Sequence, residues 1–327
     1  MRVLFRADAS TEIGLGHLTR CLAVADLLKK RGHSCYFVSL PLPGSNRSLV
    51  LKQGHQLIEE SAIESEQFDL GIVDHYGLDE VYEKKLKSFC KKVGVIDDWG
   101  DRAHDADWIV DPSYSSQTIL RKTKNSFQKF YSGFEWLLVR EDFSDLHSWA
   151  KVRTQMKRIL FFFGGSDPRD LVKTYLEEVI RTPNFAPNIQ LNFLVSASHA
   201  RFSEFKKMNL PSNIRFHLSP PSVAQVMLDC DYYVGSSGTI SWERMCLGLP
   251  GACISIVENQ TDIGQTLQKE NLHTYLGKWD EIAPKEVLKQ VEFLIQDRVA
   301  TEAQSRKCLS LVDGKGIFRL VDLIETL

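Results

Sequence analysis

"RVLFRADASTEIGLGHLTRCLAVADLLKKRGHSCYFVSL", residues 2–40, is the stretch whose reading decides the fold. It opens on an apolar β-like run, "RVLFRA", that ends in Asp8 and Ser10. A glycine turn follows, with Gly14 and Gly16 one residue apart, and then His17. From His17 to Lys30 the apolar residues Leu18, Cys21, Leu22, Ala25 and Leu28 recur three and four apart, which predicts a helix. Gly32 is placed to end it, and "SCYFVSL" is a second strand. Strand, glycine turn, helix, strand is the pattern of a βαβ unit.

The pattern repeats outward along the chain. "DLGIVDHY" reads as a strand, residues 79–91 as a helix, and "VGVIDDWG" as another strand. "GIVD" and "VGVID" are nearly all apolar, as expected of parallel strands buried on both faces. Residues 144–157 are polar and poor in strand signal. Beyond them "RILFFFGGSDPRD" has the layout of the first unit: apolar strand, Gly-Gly turn, helix start. "LNFLVSA", "IRFHLSP", "DYYVGSSGTISWERMCLGLP" and "GACISIVENQ" continue it. The 327 residues therefore divide into two α/β domains, 1–150 and 151–327, joined near residues 145–157 and each built on a doubly wound parallel sheet.

Bulk properties exclude several classes. A formal net charge of −2 gives no basic field for nucleic acid. No apolar run approaches the roughly 20 residues of a membrane span, so no membrane insertion is expected. No basic segment followed by an apolar one opens the chain, and a cytoplasmic location is expected. The seven cysteines form no C-x-x-C pair and read as reduced core thiols. The histidines show no metal-ligand spacing, so neither a metal nor another cofactor is expected. The P-loop pattern and the G-x-S-x-G elbow are both missing.

In open parallel sheets ligands bind beyond the carboxyl ends of the strands, so the polar residues there are the candidates. They are Arg6 and Asp8; Asp74 and His75; Asp97 and Asp98; Gly164, Gly165, Ser166 and Asp167; and 235–239. Gly14 and Gly16 can adopt positive φ and admit a group close to the backbone. His17 falls in the first turn of the helix, where the dipole disfavours a second positive charge. A neutral imidazole there can accept a proton; alternatively it only caps the helix and bonds a backbone carbonyl. In "GSSGTISWE" the turn through Ser236, Ser237, Gly238 and Thr239 can cradle an anion with backbone N–H groups and hydroxyls. Glu243, one turn further, can accept bonds from a ribose diol or lie in solvent. "GGSD" is a second cradle, with Pro168 suited to a first helical turn. Asp74-His75 and Asp97-Asp98 either hold water or substrate or fasten loops.

"FRADAS", "IGLGHLTRCLAVAD", "VDHYGLD", "VIDDWGDRAHDAD", "FFGGSDPRD", "SSGTISWERMCLGLP", "ENQ" and "LVDGKGIFR" resemble, in this order over the whole chain, the PseG-type UDP-sugar hydrolases of pseudaminic acid biosynthesis. G-x-G-H alone is shared with MurG-like glycosyltransferases. The resemblance implies a GT-B fold, with two Rossmann-like domains facing a cleft. It implies hydrolysis of UDP-2,4-diacetamido-2,4,6-trideoxy-β-L-altropyranose to UDP and free sugar, with His17 as general base. The UDP would be held by the second domain through the "SSGT" turn, Glu243 and the Asn259-Gln260 pair. Other enzymes of the same sugar pathway are the partners it implies. One departure stands out: many relatives carry Asp-Gln-Asn where this chain has Asp111-Pro112-Ser113. Two rival readings remain. One is a MurG-like transferase using the same cradle and base; the other is a non-catalytic sugar-nucleotide-binding protein.

Overall fold

The computed structural model describes residues 1–10, 13–115, 129–165 and 167–326. Contacts divide the chain into two compact units, Met1–Glu141 with the segment from Gly314 onward, and Asp142–Asp313. In the first unit the strands are β1 (Arg2–Ala7), β2 (Ser34–Val38), β3 (Gln56–Leu57), β4 (Phe68–Asp74), β5 (Cys90–Ile96), β6 (Trp108–Asp111) and β7 (Lys129–Ser132). Their order across the sheet is β3-β2-β1-β4-β5-β6-β7, and these strands all pair in parallel. The second unit contains β8 (Arg158–Phe162), β9 (Gln190–Val195), β10 (Ile214–Leu218), β11 (Tyr232–Ser236), β12 (Gly251–Ser255) and β13 (Thr274–Lys278). Its order is β10-β9-β8-β11-β12-β13. Both sheets reverse winding beside their first strand, and the crevice at such a switch point is where ligands bind.

Period-2 alternation buries both faces of the first sheet. Val3, Phe5 and Ala7 face one core together with Leu18, Cys21, Leu22, Ala25 and Leu28 of helix α1 (Gly16–Lys30). Leu4 faces another with Val38, Val73 and Val95. The end of α1 is as the sequence predicts: Gly32 has φ 87° and its N–H donates to Lys29 O, a glycine C-terminal stop. All seven cysteines are free and buried.

Three expectations shift. The helix expected over 79–91 ends at Leu86, because Cys90 onward is needed as a strand against β4. The helix after "GGSD" starts at Leu171, so Pro168 lies in the loop before it and not in its first turn. The terminal helix Gly316–Glu325 sits in the first unit, where Ile317, Leu320, Val321 and Ile324 complete the α1 core. Its apolar stripe announces burial but not which core it will join. No described helix is long and apolar enough to cross a membrane.

Candidate functional site

At the switch point of the first sheet, the carboxyl ends of β1 and β4 lie side by side, with Ala7 in register with Asp74. The turn from β1 into α1 begins there. Gly14 has φ 82°, a left-handed conformation that costs glycine little, and its N–H donates to Ser10 O at 2.8 Å. Gly16 differs from expectation: it is the first residue of α1 and is not left-handed. The turn sets His17 over β4, and its Nδ1 meets Asp74 Oδ1 at 2.5 Å.

Asp74 is fully buried. Arg20, one turn along α1 from His17, donates to it through Nε and Nη2, both at 2.6 Å. The same guanidinium reaches Asp98 Oδ2 at 2.5 Å through Nη1. Burial alone would raise the Asp74 pKa. The Arg20 charge, the His17 ring and their hydrogen bonds outweigh it and hold this carboxyl well below the usual range. An ionised carboxylate only accepts, so His17 Nδ1 carries the proton that points at it. The 3.1 Å approach of Arg20 Nη2 to Nδ1 is then a contact between two donors that share Asp74 Oδ1. In the neutral ring the lone pair is left on Nε2. That atom has no hydrogen-bond partner among the described residues and is not among the fully buried polar atoms. The residual 5% exposure of His17 therefore includes it. The helix-capping alternative for His17 does not occur; its bond is to a side-chain carboxylate. Tyr76 packs edge-on against the imidazole, with centroids 4.3 Å apart.

Arg6 and Asp8 form a buried bidentate pair at 2.7 and 3.1 Å. Asp8 also accepts from Leu40 N–H at 2.7 Å and from His75 Nε2 at 3.2 Å. Burial works against its charge, but the His75, Arg6 and Leu40 donors hold its carboxyl well below the usual range. These groups join β1, β2 and β4 at their carboxyl ends. Asp97 accepts from Trp99 N–H and Gly100 N–H and binds His104, so it fastens its own loop.

In the second unit the switch point lies between β8 and β11. Ser237 is fully buried, and its hydroxyl lies 3.0 Å from Gln260 O and 3.3 Å from Ile254 O. It ties the turn after β11 to the turn after β12 and is not the free anion donor expected from the sequence. Gln260 completes the tie by accepting Ile256 N–H at 2.9 Å. A Cβ at Gly238 would lie 3.0 Å from Gln260 Nε2, so these two turns pack closely; Asn259, the first residue of the helix Asn259–Lys269, keeps its Oδ1 buried with no hydrogen-bond partner among the described residues. Thr239 is exposed and Glu243 half-buried. Gly165 lies in the loop after β8, where Ser198 Oγ donates to its carbonyl at 3.0 Å; Ser166 lies outside the described residues.

Asp167, Asp170 and His199 place one potential ligand atom each within 4.8 Å of one another. Asp167 and His199 are engaged in hydrogen bonds, whereas Asp170 accepts Arg201 Nε through Oδ2 at 2.5 Å and keeps Oδ1 buried with no hydrogen-bond partner among the described residues. Asp167 caps the helix Leu171–Arg181 by accepting Leu171 and Val172 N–H. His199 Nδ1 accepts Arg201 N–H, so in the neutral ring Nε2 holds the proton and donates to Asp167 at 3.2 Å.

The sequence reading missed Arg20, the group that joins His17, Asp74 and Asp98. Its signal was the i, i+3 spacing from His17 on a helix. Tyr76 was missed as well, although it follows Asp74-His75 directly.

Two Rossmann-like parallel-sheet domains, each with its polar residues gathered at a switch point, define a GT-B protein. Solved structures of that fold align over the whole chain: Acinetobacter baumannii MurG covers 100% of this chain and 99% of its own, with a TM-score of 0.69 and 14% identity. The spinosyn rhamnosyltransferase SpnG complexed with thymidine diphosphate gives 0.64 and 13%, with 100% and 99% covered. No protein-family model matches the chain. Among sequence relatives, the chain is 27% identical to the UDP-2,4-diacetamido-2,4,6-trideoxy-beta-L-altropyranose hydrolase of Campylobacter jejuni, covering 83% of this chain and 97% of that one. It is 23% identical to the spore coat polysaccharide biosynthesis protein SpsG of Bacillus subtilis, covering 100% and 98%. An uncharacterised protein of Methanocaldococcus jannaschii is 26% identical over 85% of this chain, which spans only 59% of that relative's length.

Proposed function

We propose that the protein is a nucleotide-sugar hydrolase that cleaves a UDP-linked 2,4-diacetamido-2,4,6-trideoxy sugar of the altropyranose type to UDP and free sugar. The observation that carries this reading is the orientation of His17. Nδ1–H is committed to the buried Asp74 carboxylate, so Nε2 is the basic atom. The 27% identical Campylobacter hydrolase supports the choice of reaction and substrate.

In this mechanism the turn after β11, with Asn259, Gln260 and Glu243, binds UDP, and backbone N–H groups of that turn offset the diphosphate charge. His17 Nε2 takes a proton from a water directed at the anomeric carbon. The water oxygen bonds to that carbon, the bond from it to the diphosphate oxygen breaks, and UDP leaves with the electron pair. Asp74 stabilises the imidazolium as it forms and keeps the ring in its productive tautomer, while Arg20 holds Asp74 in place. Arg6, Asp8, Gly14, Gly16, His75 and Gly165 shape the substrate-binding loops.

The transferase names attached to proteins of the same fold favour a second reading, in which an acceptor hydroxyl replaces water. One experiment separates the two. Purified protein is incubated with the UDP-sugar and no acceptor, and free sugar and its anomeric configuration are followed by NMR. Hydrolysis releases sugar and UDP stoichiometrically; a strict transferase releases neither. His17→Asn is expected to lower turnover by about 10²–10⁴-fold while UDP still binds. Near-normal turnover in that variant would contradict the assignment.

A further inference from the structure

Neither the sequence reading nor the proposed chemistry uses Trp99, which follows Asp98 in the loop after β5. It is 40% exposed. Single exposed apolar side chains are common and need no explanation, but two observations set this one apart. The first is position. The indole packs edge-on against Tyr76 with centroids 5.3 Å apart, and Tyr76 packs against His17 in turn. An unbroken aromatic run thus leads from the candidate base to the surface of its own domain.

The second is rigidity. Trp99 N–H donates to Asp97 Oδ1 at 3.0 Å, and Gly100 N–H follows at 3.3 Å. Asp97 is braced from its other oxygen by His104 Nε2 at 3.0 Å. Arg102 donates to His75 O and Leu78 O at 2.7 and 2.8 Å, which fastens the Trp99 loop to the Tyr76 loop. An exposed indole on a clamped backbone loses little freedom when something settles on it, so its binding is pre-organised.

A pyranose carries C–H groups on its faces and polar groups on its rim. The C–H faces are apolar and weakly electropositive, and they suit the electron-rich face of an indole. We propose that Trp99 is a specificity-determining residue: the platform on which the sugar ring of the nucleotide sugar stacks beside His17, favouring sugars whose facing side is deoxygenated. This rests on the proposed function and adds a residue and a basis of selection to it.

The test compares wild type, Trp99→Ala and Trp99→Phe. The probes are UDP-2,4-diacetamido-2,4,6-trideoxy-β-L-altropyranose, UDP-N-acetylglucosamine and UDP alone, read by steady-state kinetics, calorimetry and urea unfolding. Trp99→Ala is expected to raise KM for the deoxy sugar about tenfold or more with kcat little changed, and to narrow the preference for it. UDP affinity and the urea midpoint stay at wild-type values, and Trp99→Phe recovers most of the loss. Unchanged KM and preference in Trp99→Ala would overturn the proposal, as would an equal loss of affinity for UDP alone or no recovery in Trp99→Phe. If wild type turns over neither sugar, the hydrolase reading falls by itself. The calorimetric arm still decides on Trp99, because the extra affinity of the nucleotide sugar over UDP must vanish in Trp99→Ala.

Discussion

Asp74→Asn is the sharpest perturbation of the candidate site, because it removes one charge and keeps the shape. Two carboxylate oxygens now accept three N–H groups: His17 Nδ1 and Arg20 Nη2 on Oδ1, and Arg20 Nε on Oδ2. Cys21 Sγ adds a weak donor to Oδ2 at 3.4 Å. An amide offers one oxygen and one NH2 in the same space. If its oxygen faces His17, the NH2 confronts Arg20 Nε across a 2.6 Å gap that suits no donor pair. If its NH2 faces His17, the imidazole turns tautomer, accepts at Nδ1 and moves its proton to Nε2, where the base was; Arg20 Nη2 then loses its acceptor.

Either arrangement has a cost. Breaking a buried pair by removing one partner costs about 3–5 kcal/mol. Arg20 retains Asp98, which puts the expected loss near the lower end, about 3 kcal/mol. The tautomer that carries its proton on Nε2 cannot act as a base, so turnover should fall by about 10²–10⁴-fold; in serine proteases the corresponding change costs about 10⁴-fold. Urea unfolding measures the first quantity. UDP release from the altropyranose nucleotide, at a temperature where the variant is fully folded, measures the second. UDP affinity, which the proposed function assigns to the turn after β11 in the other unit, is the control and should not change. A folded Asp74→Asn variant with turnover within about threefold of wild type would refute the tautomer argument and the role of His17 with it.

Stability should depend on pH on both sides of neutrality. His104 lies between Glu83 Oε1 at 2.6 Å and Asp97 Oδ2 at 3.0 Å. Burial opposes its charge, but the two carboxylates prevail and raise its pKa to about 9. A raised folded pKa gives stabilisation that is complete below the unfolded value of about 6.5 and lost as pH rises through about 9, on the order of 3 kcal/mol; His104→Gln should flatten the urea midpoint over that window. His273 is pushed the other way, down to about 3, by burial and by the Arg244 charge. Below about pH 6.5 the unfolded chain takes up a proton that the folded chain refuses, so stability should fall by about 1.4 kcal/mol per pH unit on acidification, and less steeply in His273→Asn. Gly94→Ala places a Cβ 2.0 Å from Cζ2 of the fully buried Trp108 and should cost at least about 1–3 kcal/mol in chemical denaturation; an unchanged midpoint would mean that the β5–β6 packing is wrong.

The fold was legible because its signals are local. The apolar face of α1, the stop at Gly32 and the all-apolar strands each follow from neighbours a few residues away, and they point to parallel sheets without further information. The terminal helix shows where that stops: Ile317, Leu320, Val321 and Ile324 declare an apolar stripe, but assignment to the first core depends on contacts with α1, far away in the chain. The site divides in the same way. His17 was legible because a glycine turn and a helix start bracket it. What fixes the orientation of its ring is Asp74, 57 positions further on, and what holds Asp74 ionised is Arg20, which looks like an ordinary helix-surface cation until β4 and β5 bring two carboxylates to it. Ser237 shows the converse: its hydroxyl looked available for an anion, yet Gln260 O and Ile254 O occupy it. Local sequence reveals which groups can donate or accept. The partner that fixes a proton's position, or uses up a donor, is chosen by strand order, because adjacency at the carboxyl ends of a parallel sheet joins residues that are distant in sequence.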